Sequence, residues 1–383
     1  MSSFEELIPR KKYRLYVELG NDIRGNRIRK TRTVEANGPR KADELLKQFE
    51  NEIRASLHLE DENATFSSFA TRWLKHFAEP NLNVSTVEKY EMSLRLLNDY
   101  FGNKKIRDIQ TFHIVQFFND EIKAGRGSLD SKYKTLKSIF KYAVKWKVIS
   151  KESNPMTDVG KPKEKKMRTE KEQFFTAAEI PTLLESINTL ETHQRIICKL
   201  AIFGGLRRGE ILGITTNSIN WHTNQIHISH SLQVTKKEGI KLKNTKTDEE
   251  RTITIPAALM EEIRLYYSSQ QNIQQEMGNL YSPFRNENGH VVELLFVDPT
   301  GKPYRPDSIT QFWVRFIKRS GLRQVNFHGL RHSSASYLLS QGVNIKLIQK
   351  RLGHKDIKTT LNMYSHVTLE DDSAATEAFD KLF

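Results

Sequence analysis

The sequence predicts a multidomain α+β protein. It has a small N-terminal module of β-ribbon and helix, an all-helical middle domain, and a mainly helical C-terminal domain with a small antiparallel sheet. Three observations carry this expectation. At about 150 residues per domain, 383 residues make two to three domains. Apolar residues alternate with a period of two near the start and again between about residues 225 and 256. Elsewhere they recur at helical spacing.

Composition excludes several classes. With 37% hydrophobic and 28% charged residues the chain has a globular composition, and no apolar run approaches the ~20 residues that span a bilayer. The start, Met1–Glu6, lacks the basic region and apolar stretch of a signal peptide. A single cysteine, Cys198, can form neither an internal disulfide nor a multi-cysteine metal site. It lies in the apolar segment Ile196–Ala201 and reads as a buried, inert thiol. The net charge of +14 favours a polyanionic partner, since lysines and arginines near phosphates release condensed counterions.

Residues 1–60 form the first module. Lys12–Leu19 alternates as a strand, Arg24–Arg27 is a turn signal, and Ile28–Val34 reads as a second strand. Asn37-Gly38-Pro39 then punctuates, and Arg40 to about Leu57 has a helical pattern. Nine basic residues lie between Arg10 and Arg32, against Glu18 and Asp22. One face of the ribbon is therefore expected to be cationic, with Lys12, Arg14, Arg27 and Arg29 as DNA-contact candidates, because a two-stranded ribbon fits a major groove. An ordinary solvated face is the alternative.

Residues 64–155 are expected to be helical throughout. Thr65 caps a helix carrying Phe66, Phe69, Trp73 and Phe77, and Ser85-Thr86 precedes a second amphipathic run. Further helices follow around His113–Ala124 and Ser131–Trp146, and their aromatic residues read as core. Lys132 and Lys134, in a lysine-rich run, are either phosphate contacts or part of a solvated surface. From Pro155 the chain turns hydrophilic, and residues 156–170, with the run Lys161–Arg168, read as a basic linker.

Residues 171–383 hold helical patterns through Leu206, strands at Gln225–Ile228 and Arg251–Pro256, and helices again from Ser308. No internal repeat and no phosphate-cradling glycine loop of a nucleotide enzyme is visible. Four stretches concentrate unusual residue types. Gly204–Leu212 ends an apolar helix on a double glycine and then places Arg207 three residues before Glu210, within reach on one helical face. That pattern is either a salt bridge or a half-buried guanidinium held for a phosphate, which it matches as a two-pronged fork. Lys241–Thr247 looks like the lysine-bearing turn of a hairpin leading into Arg251. Phe327–Ser333 puts His328 and Arg331 on one face at the start of a helix, whose free N–H groups attract anions. Lys350–Asp356 has Gly353 as a helix stop with His354 at the junction, and Ile357, Leu361 and Tyr364 then form one stripe.

Together these residues suit phosphodiester chemistry. Arginines neutralise the oxygens of a phosphodiester most strongly as charge develops in the transition state. A histidine exchanges protons, a lysine protonates a leaving oxygen, and a tyrosine attacks phosphorus and holds it covalently. The cationic side chains supply the charge, so no cofactor or metal is expected.

From about Thr65 to the C-terminus the chain resembles the tyrosine recombinase, or phage integrase, family. Its Gly-Leu-Arg-x-x-Glu motif matches Arg207 and Glu210, its His-x-x-Arg motif matches His328 and Arg331, and its Leu-Gly-His motif matches Leu352-Gly353-His354. The nucleophile position falls on Tyr364, ten residues after His354. The family's lysine precedes a segment like Arg251–Pro256; Lys246 is the match, with Lys243 as competitor. The resemblance implies that Arg207, Arg331 and His354 hold the scissile phosphate, Lys246 protonates the 5′-oxygen, His328 assists proton transfer, and Tyr364 forms a 3′-phosphotyrosyl bond. It implies a core-binding domain at 64–155, an arm-binding module at 1–60 and a catalytic domain at 171–383 with a C-terminal packing tail. The expected partners are double-stranded DNA at core and arm sites, a homotetramer, and a DNA-bending host factor and excision protein. The implied setting is the bacterial cytoplasm, with no membrane. A type IB topoisomerase-like strand transferase and a non-catalytic DNA-binding accessory protein are the alternatives.

Overall fold

A computed structural model describes residues 3–21, 27–162, 174–244 and 250–353. The chain divides into two compact units, residues 1–165 and 166–383. Among the described residues no helix is long and apolar enough to cross a membrane.

The N-terminal module is a three-stranded antiparallel sheet, β1 (Ser3–Ile8), β2 (Lys12–Asn21) and β3 (Arg27–Glu35), followed by the helix Pro39–Glu62. Alternation along β2 buries Tyr13, Leu15 and Val17, and the helix covers the inner face with Ala42, Leu46 and Phe49. Strand β1 was not expected. It is an edge strand that buries almost nothing, so Ser3–Ile8 shows no alternation to read. The register also revises the cationic face. Lys12, Arg14 and Arg29 lie on the outer face, paired opposite Glu35, Thr33 and Glu18, with Glu5 opposite Arg14 from β1. Lys30 and Arg32 stand opposite Val17 and Leu15, and Arg32 stacks over the Phe49 ring at 4.3 Å. The positive charge is therefore divided between the two faces.

The middle domain packs the helices Phe66–Trp73, Val84–Phe101, Thr111–Lys123 and Leu129–Lys145 around an aromatic core of Phe66, Phe69, Trp73, Phe101 and Phe140. Thr65 caps the first helix, its hydroxyl accepting from the Ser68 N–H at 3.2 Å. Two expectations are corrected here. Met156 and Val159 are buried in this core, and the Tyr133 hydroxyl donates to the Val159 carbonyl at 3.0 Å, so the segment read as the start of a linker closes the helical domain instead. Lys132 is not a surface lysine. It is 2% exposed, ion-paired with the equally buried Glu121, and donates to the Gly127 carbonyl at 3.2 Å. Burial pushes the Glu121 carboxyl up, but Lys132 and Arg126 outweigh it and hold it below the ordinary carboxylate range. Desolvating each ion costs several kcal/mol, on the order of what its partner returns, so Lys132 is committed to the fold. Lys134 is exposed and paired with Asp130 at 2.6 Å.

In the C-terminal unit β4 (Ile219–Asn220), β5 (Gln225–Ile228) and β8 (Arg251–Thr254) form one antiparallel sheet in the order β4-β5-β8. A separate ribbon pairs β6 (His230–Thr235) with β7 (Gly239–Asn244). The lysine-bearing hairpin therefore closes backward: β7 pairs with β6, and β8 pairs with β5 rather than with β7. Ile226, Ile228, Ile253 and Ile255 face a core built from the helices Thr192–Phe203, Ala257–Met277 and Pro306–Ser320. The Ala257–Met277 helix was missed in the sequence because only Leu259, Met260, Ile263 and Tyr266, all in its first half, are buried. Cys198 is fully buried, which pushes its thiol well up and leaves it inert.

Candidate active site

The helix Thr192–Phe203 stops at Gly204, and Gly205 turns the chain with φ +61°. A Cβ on Gly205 would stand 2.4 Å from Leu352 Cδ2, so the double glycine is both a turn and a close approach. This turn delivers Arg207 to the start of the short helix Arg208–Leu212, with Glu210 in its first turn. Glu210 Oε1 accepts from Arg207 Nη1 at 2.6 Å, and Oε2 accepts from the Arg207 N–H at 3.0 Å. The Arg207 side chain remains 36% exposed, open to an incoming anion, while its Nη2 donates to the Gly353 carbonyl at 3.2 Å.

His328 immediately precedes the helix Gly329–Ser340, which carries Arg331, and makes no side-chain capping bond to it. The expected free N–H groups at this terminus are not free. Gly329 donates to Asn326, Leu330 to the Phe327 carbonyl and Arg331 to the His328 carbonyl. Arg331 is 1% exposed, with Nη1 on the Gly205 carbonyl at 2.6 Å and Nη2 on the Leu352 carbonyl at 2.5 Å. Each terminal nitrogen carries two hydrogens, so one N–H on each is fixed by backbone and the fork is oriented by the protein. Burial, then the charges of Arg331 and Arg207, holds His328 below the usual imidazole value, with Glu210 opposing. The His328 and His332 rings meet nearly perpendicular with centroids 4.8 Å apart, and burial pushes His332 down to about 4. Both imidazoles are therefore neutral near pH 7.

The helix Ile345–Leu352 ends at Gly353, φ +64°, as its sequence predicts. Arg207, Glu210, His328, Arg331 and the turn before His354 are thus assembled from three segments separate in the chain. Lys246, His354 and Tyr364 lie outside the described residues, as does the Arg27 side chain. Lys243 is described: its Nζ sits 2.8 Å from Glu238 Oε2, beside Lys241 on the same carboxylate. Of the DNA-contact candidates in the N-terminal module, Arg14 and Arg29 are exposed and Lys12 is half-buried; Arg29 stacks on Tyr16 at 4.3 Å.

Two site residues escaped the sequence reading. Arg251 is buried and grips Glu210 from the far side, and Arg351 donates to the Phe203 and Thr254 carbonyls at 2.6 and 2.9 Å. Parity was the available signal for Arg251, which shares the face of Ile253 and Ile255 along β8.

Oriented guanidiniums and neutral imidazoles on a helical scaffold define a protein that acts on phosphodiesters with side-chain charge. Comparison with known proteins gives the family. Residues 173–371 match the phage integrase family, and residues 65–122 match the phage integrase N-terminal SAM-like domain. A XerC-like tyrosine recombinase of Caldanaerobacter subterraneus is 28% identical, covering 97% of this chain and 96% of its own. The probable integrase of prophage ps2 from Lactococcus lactis is 27% identical over 98% and 99%. The ICEBs1 integrase of Bacillus subtilis is 24% identical over 97% of each chain. Among solved structures, the Tn1549 transposon integrase bound to a circular intermediate DNA superposes with a TM-score of 0.69 at 20% identity, covering 82% of this chain and 99% of that one. The chain belongs to the phage integrase family. It is a tyrosine-type site-specific DNA recombinase, of the kind that integrates and excises mobile elements.

Proposed function

We propose that Arg207, Arg331 and His354 clamp the scissile phosphate, that Tyr364 is the nucleophile and that Lys246 is the general acid. The observation that carries this reading is the convergence of Arg207 and Arg331 on the turn at Leu352-Gly353, immediately before His354, with His328 close enough to feel both guanidiniums. The Tyr364 oxygen attacks phosphorus, the bond to the 5′-oxygen breaks, and Lys246 gives that oxygen its proton. His328, neutral at working pH, takes the tyrosine proton. A 5′-hydroxyl of the partner duplex then reverses the step, and the phosphotyrosyl bond keeps the energy of the original linkage.

In this reading residues 64–159 bind core-site DNA, and residues 1–60 bind arm sites through Lys12, Arg14, Arg27 and Arg29. A λ integrase tetramer bound to a Holliday junction, with a TM-score of 0.56, supports a homotetramer on paired duplexes. A DNA-bending host factor and an excision protein set direction, and the work is done on the nucleoid in the bacterial cytoplasm.

The test is a nicked suicide duplex spanning the joined element ends, incubated with full-length protein and excess chelator. A protease-sensitive covalent adduct mapping to Tyr364 is expected. Relaxation of plasmids lacking the site, without exchange at the joined ends, would instead favour a topoisomerase, and no adduct at all an accessory protein.

Lys246 is preferred to Lys243 because the Lys243 ammonium is already held on Glu238. Loss of a general acid costs roughly 10²–10⁴-fold in cleavage rate. Lys246→Ala is expected to lose that and to recover on a duplex with a 5′-bridging phosphorothiolate, whose leaving sulfur needs no proton. Rescue of Lys243→Ala in its place reverses the assignment.

A further inference from the structure

We infer that Arg251 is a positioning residue for strand cleavage, acting through Glu210 on the Arg207 guanidinium; this rests on the reading of Arg207 given above. Arg251 opens β8, on the buried side of that strand. Its Nη2 donates to Glu210 Oε2 at 2.6 Å and its Nη1 approaches Oε1 at 3.4 Å. Its Nε donates to the Arg351 carbonyl at 2.8 Å. One planar side chain thus fastens the carboxylate that holds Arg207 to the last turn of the helix before His354. Gly353 completes the fit: a Cβ there would stand 3.0 Å from Arg251 Nη1 and 3.3 Å from its Cδ and Cζ.

Charge gives the second argument. Glu210 is 2% exposed and lies between two guanidiniums. Arg207 and Glu210 alone form a neutral pair with little pull on a phosphate. With Arg251 added, two positive charges share one negative, so the cluster keeps one net positive charge, and only Arg207 presents it to solvent. A lysine at 251 supplies a point charge but cannot form the fork to Glu210 and the bond to the Arg351 carbonyl together. Arg251 therefore fixes where Arg207 points and preserves its charge, without reaching the phosphate itself.

The experiment uses full-length protein and the nicked duplex spanning the joined element ends, with adduct rate, DNA affinity and thermal melting measured side by side. A misplacement of about 1 Å at a reacting group costs about 10²-fold, and that loss is expected in adduct rate for Arg251→Gln while DNA affinity stays within about twofold. Arg251→Lys, which keeps the charge and guards against a folding failure, should remain roughly tenfold slow. In a Glu210→Gln background Arg251→Gln should add less than about threefold, because both act along one chain of contacts. The inference is overturned if affinity falls in step with rate, if lysine restores the full rate, or if the two losses multiply. Arg207→Ala separates the premises: an undiminished adduct there removes the active-site reading, and this inference with it.

Discussion

Tyr364→Phe leaves DNA binding intact and abolishes the covalent adduct, with an expected loss of at least about 10⁴-fold in cleavage. Phenylalanine keeps the ring but removes the hydroxyl proposed to attack phosphorus. A phenol with its ordinary pKa of about 10 is a weak nucleophile, so the surrounding site must act on it. His328 is suited to this because burial and two neighbouring guanidiniums keep it unprotonated near neutral pH. The control is a second tyrosine. Tyr337 lies on the helix that carries Arg331 and is 40% exposed, which makes it a rival phenol. Tyr337→Phe should retain the adduct. Equal adduct yield from Tyr364→Phe, measured by gel mobility after denaturation, would show that another residue is the nucleophile.

The sequence was most legible where local pattern and tertiary demand agree. The Thr65 cap, the Gly353 stop and the alternation of β2 are local devices, each satisfied within a few residues, and all three appear where they were read. Strand β1 and the second half of the Ala257–Met277 helix bury too little to leave a period. The hairpin was read forward into Arg251 because Lys241, Lys243 and Lys246 lead toward it, whereas β7 pairs back with β6 and β8 with β5: register is decided by which strands share a core face. Lys132 exposes the same limit. A lysine among five in one helix reads as surface, and only Glu121, eleven residues earlier, pulls it inside. In the site, Arg207, Glu210, His328 and Arg331 were legible because reactive residue types at helical spacing are unusual. Arg251 and Arg351 were not, since they act by bracing a carboxylate 41 residues away and backbone 97 to 148 residues away.

Arg331→Ala is expected to lose both catalysis and stability, and the two can be separated. The buried guanidinium satisfies the Gly205 and Leu352 carbonyls. Leaving a buried acceptor unmet costs about 1–3 kcal/mol, so truncation should destabilise the C-terminal unit by roughly 2–5 kcal/mol once the lost packing is included. The melting temperature should fall by several degrees. The larger effect is on rate: removing one preorganised donor from a developing oxyanion costs about 10²–10³-fold. Cleavage measured well below the variant's melting temperature should therefore still fall by about 10²–10³-fold. Arg331→Lys decides between fold and chemistry. It keeps the charge and most of the apolar stem, so it should recover much of the melting temperature, but its single ammonium cannot hold both carbonyls and still aim a fork at phosphate. If Arg331→Lys cleaves at the wild-type rate, charge alone is what the reaction needs. If Arg331→Ala cleaves normally at low temperature, the phosphate is clamped elsewhere and Arg331 serves only to tie Gly205 to Leu352.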